Sequence, residues 1–203
     1  AMGILGVWWR LVCTPTVHGA RGATGAWPLC THCTRSKAAR FSSAPSRAID
    51  SSVNRILVIR GRAIGDFILP LPAIKLLRGA YPAARLEILG YQHIIALAER
   101  RFYADAVLSI EYAALASFFA RNASLPEGLR EYFAGFDLIV SYLFDPDGTF
   151  VANLKRCGSA RLITGPAKVG LRMHATLELA QPLQELDLLL RDSAPRIFPN
   201  EQD

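Results

Sequence analysis

From residue 54 onward the apolar residues follow two alternating rhythms. Short runs at Ile56–Ile59, Arg85–Leu89, Ala106–Ile110, Leu138–Tyr142 and Arg161–Thr164 have the length of single strands. Between them the apolar positions recur at helical spacing. After Asp66 they are Phe67, Leu71, Ile74, Leu76 and Leu77, with charge confined to Lys75 and Arg78. Further helices are predicted at Tyr91–Arg100, Ala113–Arg121, Pro126–Phe133, Phe150–Cys157 and His174–Leu190, with an interruption near Asn122–Leu125. Strands separated by helices predict an α/β fold, a doubly wound and mostly parallel Rossmann-like sheet with right-handed crossovers. Such a sheet gathers its strand carboxyl ends on one edge, where ligands bind. The candidate site segments are therefore 60–66, 90–93, 144–148 and 165–168.

The first of these, Arg60-Gly61-Arg62-Ala63-Ile64-Gly65-Asp66, organises the rest. Gly65 permits close approach of a backbone or a substrate. Asp66 falls at or beside a helix N-terminus, where free N–H groups favour an ionised carboxylate. A positioned carboxylate at a ligand-binding edge is a candidate general base; its plain alternative is an ordinary helix N-cap. Arg60 and Arg62 carry guanidinium forks suited to carboxylate or phosphate partners, or else are solvated surface charges. His93 is a second acid–base candidate, or a structural histidine at a helix start. Asp145-Pro-Asp147-Gly148 reads as a turn, or as a carboxylate pair for a cation or sugar hydroxyls. Gly61 and Gly65 lack the spacing of the dinucleotide fingerprint, and no P-loop motif occurs.

The stretch ILVIRGRAIGDFILPLPAIKLLRGAYPAARLEIL resembles the amino-terminal signature of glycosyltransferase family 9, the lipopolysaccharide heptosyltransferases. The family pattern is an apolar strand, a basic residue, a small-residue turn, Gly-Asp, an apolar segment, Leu-Pro-Ala and Tyr-Pro. Here these are Ile56–Ile59, Arg60, Gly61–Ile64, Gly65-Asp66, Phe67–Leu69, Leu71-Pro72-Ala73 and Tyr81-Pro82. A weaker likeness extends through Phe136–Val140 and Gly158–Arg161, so that it spans 54–190. The resemblance implies one half of an inverting GT-B enzyme. The family's amino-terminal domain binds a lipid-linked oligosaccharide acceptor, and its carboxyl-terminal domain binds a nucleotide sugar, ADP-heptose, with no metal or other cofactor required. The family's catalytic aspartate falls on Asp66, and the expected acceptor-binding residues are Arg60, Gly61, Arg62, Gly65 and His93. Two features depart from the pattern. Pro70 stands where Thr or His is usual, and Arg62 occupies the turn. The donor-domain pattern is also absent after Leu190, which implies an acceptor half that has little activity alone. The organisation expected is an extension at 1–53, a Rossmann-like domain at 54–172, and a helix with the start of an interdomain linker at 173–203.

Charge changes the picture in one respect. The net charge of +6 and pI near 9.4 suggest a nucleic-acid partner. Six of the 23 basic residues lie in 1–49, which holds no acid, and the remaining 17 match the 17 acidic residues that follow. The domain is formally neutral, so no nucleic-acid partner is expected. The extension resembles a transit peptide only in its composition and is expected to be disordered. Its Cys30-Thr-His-Cys33 is a single C-x-x-C, short of the two pairs of a structural zinc site. No apolar stretch has the roughly 18–20 residues that span a bilayer. The expected location is the cytoplasm, with peripheral contact at the inner membrane face. A reading of another class is a non-catalytic carbohydrate- or lipid-binding domain derived from such an enzyme.

Overall fold

A computed structural model describes residues 52–158 and 161–199 of the chain. The expectations for residues 1–51, a disordered extension and its lone C-x-x-C, lie outside them. Ile56, Leu57, Val58 and Ile59 are all fully buried. A strand with successive side chains on opposite faces is buried throughout only if both faces are covered. That strand, β1 (Arg55–Arg60), is the centre of a five-stranded sheet. Its companions are β2 (Arg85–Gly90), β3 (Ala106–Ser109), β4 (Leu138–Ser141) and β5 (Arg161–Thr164). The order is β3-β2-β1-β4-β5, every pair parallel. The chain is thus of the doubly wound Rossmann-like class that its alternating pattern predicts.

One face carries Ile56, Val58, Leu86, Ile88, Leu138 and Val140. They pack beneath α1 (Ile64–Ile68), α2 (Leu71–Ala80), α3 (Gln92–Ile95) and α6 (Ala175–Ala180), which contribute Phe67, Ile74, Leu77, Ile94 and Leu179. The other face carries Leu57, Ile59, Leu89 and Ile139. It lies under the 3₁₀ segment Ala113–Phe119, α4 (Glu127–Ala134) and α5 (Thr149–Arg156), where Phe118 meets Phe133 and Phe150, and Tyr132 links Phe133 to Phe136. Each large buried side chain of this kind contributes about 1.5–3 kcal/mol of transfer free energy.

Three helices are shorter than their periodicity predicts. The helix expected after Asp66 is two, α1 and α2. Pro70, which has no N–H to donate, stands at the N-cap of α2 with Pro72 inside its first turn. The expected helix Tyr91–Arg100 stops at Ile95 and continues in tighter turns, with Arg100 at φ +51°. The expected helix His174–Leu190 ends at Ala180. A 3₁₀ turn with Pro182 follows, closed by Asp187 at φ +59°, and the chain then has no regular secondary structure to residue 199. This run packs back on the domain. Phe198 lies against Phe102 and Tyr103, and the Tyr103 hydroxyl donates to the carbonyl of Arg196. Among the described residues no helix is long and apolar enough to cross a membrane.

Candidate functional site

The strand order reverses between β1 and β4, and at such a switch point the loops after the two strands diverge and leave a crevice. Register fixes what meets there. Arg60 lies beside Gly90, Ile59 beside Ser141, and Ser141 beside Thr164. Gly90 is needed for this approach: a Cβ on it would stand 2.6 Å from the carbonyl oxygen of Arg60 and 2.6 Å from Ile95.

Arg60 ends β1 with its side chain fully buried. Its Nε donates to the Asp66 carbonyl at 2.8 Å, and its Nη1 donates to the carbonyls of Tyr142 (3.1 Å) and Ala167 (3.3 Å). Its Nη2 has no hydrogen-bond partner among the described residues and stands 3.5 Å from Asp66 Oδ1. Burial pushes the guanidinium pKa down, and the Asp66 carboxylate opposes that shift. Arg60 therefore ties three loops, those after β1, β4 and β5, to one buried charge. Its guanidinium faces the protein and is not open to a ligand.

Asp66 lies in the first turn of α1 and is about 29 % exposed. The plain N-cap reading does not hold: the N-cap is Ala63, and no side chain caps this helix. The carboxylate instead lies between two guanidinium groups, with Oδ1 toward Arg60 and Oδ2 accepting from Arg62 Nε at 3.2 Å. Arg62 is exposed and holds φ +86°, a conformation that strains any residue with a Cβ. Gly65 faces open space, since a Cβ there would meet nothing within 4 Å. Gly61 packs instead: a Cβ would stand 3.2 Å from Leu143. His93 is exposed on α3, its ring tilted toward Tyr91 at 6.1 Å.

A cleft of about 410 Å³ opens at the ends of β4 and β5, lined by Leu143, Phe144, Pro146, Thr164, Gly165 and Ala167. Ala167 also accepts from Arg60, so the cleft adjoins the Arg60–Asp66 cluster. Phe144 is half exposed, and Lys168 Nζ stands 5.1 Å from its ring centroid, a cation–π contact at the surface. Asp145 accepts from the N–H groups of Phe150 (3.2 Å) and Val151 (2.9 Å) and so caps α5. Asp147 is occupied by Thr149 and Arg121. The turn reading of Asp145–Gly148 describes both carboxylates. Among the described residues no group of three or more His, Cys, Asp or Glu is placed to hold a metal ion. The carbonyls of Tyr142 and Ala167 were not legible from residue types, because a backbone acceptor has no side-chain signature.

No family profile and no curated protein matches the sequence. Solved structures do match. A glycosyl transferase family 9 protein from Veillonella parvula DSM 2008 aligns at a TM-score of 0.52 with 17% identity, over 73% of this chain and 46% of that one. The E. coli heptosyltransferase WaaC, solved with ADP, aligns at 0.50 with 11% identity, over 70% of this chain and 50% of that one. At these identities the likeness is one of fold. The chain spans about half the length of the solved structures it matches.

Proposed function

We propose that this chain is the acceptor-side half of an inverting GT-B glycosyltransferase of family 9, with Asp66 as general base. The observation that carries the reading is the Asp66 carboxylate itself. It stands at the switch point of the sheet, partly open to solvent, held by Arg60 and Arg62 rather than spent on capping its own helix. The Gly-Asp signature it belongs to and the fold shared with a family 9 protein support the same conclusion.

In this reading an acceptor hydroxyl donates its proton to Asp66, and the oxygen attacks the anomeric carbon of an ADP-sugar from the face opposite the departing ADP. Arg60 is a positioning residue. Its three carbonyl contacts fix the guanidinium, and the guanidinium fixes one oxygen of the carboxylate. Gly65 leaves room for the acceptor, and Gly61 keeps the turn packed against Leu143. His93 and the cleft beside Ala167 line the path of the sugar chain. Heptose or a related sugar is the donor group, and a lipid-linked oligosaccharide of the lipopolysaccharide-core type is the acceptor. The protein works in the cytoplasm and meets that lipid at the inner membrane face.

The test is Asp66→Asn in an enzyme that joins this half to its donor-binding half. Loss of general-base help lowers kcat by about 10²–10⁴, with the KM for the ADP-sugar unchanged. A variant that retains wild-type turnover overturns the assignment.

A further inference from the structure

The two arginines on Asp66 differ in kind. Arg60 is sealed in by three backbone carbonyls and cannot leave without opening three loops. Arg62 is exposed, and its one hydrogen bond among the described residues is Nε to Asp66 Oδ2. Exposed ion pairs of this type contribute little to stability, so the contact exchanges readily for another anion. The backbone of Arg62 is strained at φ +86°, which favours any rearrangement that relaxes it. As it stands, Arg62 holds Asp66 Oδ2, while Oδ1 stands 3.5 Å from the buried guanidinium of Arg60.

We infer that Arg62 is a displaceable guard on Asp66, drawn off the carboxylate by an oxyanion on the acceptor, and that it thereby selects anionic over neutral acceptors. The inference rests on the reading of Asp66 as the base. An incoming phosphate or carboxylate takes the guanidinium as a bidentate partner, a stronger contact than the single Nε bond it gives up. Oδ2 is then free to accept the hydroxyl proton, while Arg60 keeps the carboxylate aimed. A neutral sugar offers Arg62 no such partner, and the base stays covered.

The test is anion binding to the full chain, followed by the Arg62 Nε–H and Asp66 carboxyl NMR signals at constant ionic strength. The probes are inorganic phosphate, glucose 6-phosphate, glucuronate and, as the neutral control, methyl glucoside. Both signals are expected to move together with each anion, and neither with methyl glucoside. Phosphate against glucuronate separates a phosphate-bearing from a carboxylate-bearing acceptor. Arg62→Asn, which tolerates a positive φ, is expected to lose at least about tenfold in phosphate affinity. Asp66→Asn releases the guard and is expected to tighten phosphate binding about two- to fivefold, and this gain should vanish in the double variant. Arg62→Gly gives a second variant that the backbone accepts without strain. Unchanged affinity in either Arg62 variant, or in Asp66→Asn, overturns the inference. None of these outcomes depends on turnover, so failure here is distinguishable from a failure of Asp66→Asn to abolish transfer.

Discussion

Gly65 sits inside the first turn of α1, where a glycine costs helix stability, and no atom among the described residues lies within 4 Å of where its Cβ would stand. In the proposed function that open space is the acceptor's. Gly65→Ala should therefore stabilise the fold by up to about 1 kcal/mol while weakening acceptor binding, measured as a rise in melting temperature alongside a rise in acceptor Kd. If the variant is stabilised and binds the acceptor as well as wild type, the open space in front of Gly65 is not the acceptor's. At this scale the sequence was informative where a side chain carries the signal. The grouping of Gly65-Asp66 with its two flanking arginines at the carboxyl edge of β1 was legible. The unequal roles of the arginines were not, because burial of Arg60 depends on where the loops after β4 and β5 return, and spacing within one loop holds no record of that.

Among the secondary-structure elements, strand positions followed the apolar runs closely because a buried parallel strand has no polar face to blur it. Helix ends were harder to read. Periodicity continues through Pro70 and through Leu188–Leu190, yet the chain breaks at both places, since a missing N–H or a left-handed Asp187 decides the matter locally. The turn before α5 shows the reverse case. Asp145 is five residues ahead of the first amide it caps, and this cap fixes the wall of the β4–β5 cleft. Asp145→Ala leaves two helix N–H groups without their acceptor and should cost about 1 kcal/mol, read from denaturant unfolding. A change within error would mean that water replaces the cap without loss.

For the whole molecule, ion pairs lie at both edges of the sheet, and those away from the carboxyl edge bear on stability. Asp105 leads into β3 and accepts from Arg78 Nη2 at 2.8 Å and from the Leu86 N–H at 2.7 Å. Burial alone would raise its carboxyl pKa, but these hydrogen bonds outweigh burial and hold it below the ordinary carboxylate range. A depressed folded-state pKa contributes stability that is fully present above the unfolded value, about 3.9, and that is lost as pH falls through the folded one. Asp105→Asn should accordingly lower stability at neutral pH and reduce its dependence on pH below about 4, in melting curves taken across that window. Parallel wild-type and variant curves would remove Asp105 from the acid response.

In the proposed function the sugar acceptor binds at the carboxyl edge around Asp66. The most direct measurement is an amide NMR map of the chain titrated with an acidic oligosaccharide of the lipopolysaccharide-core type. Acceptor binding there gives saturable shifts at Arg62, Gly65, Asp66 and His93 and at the β4–β5 cleft residues Phe144 and Ala167, with the amino edge around Arg55 and Glu87 unmoved. Shifts confined to that opposite edge, or none at concentrations that saturate a family 9 enzyme, would contradict it.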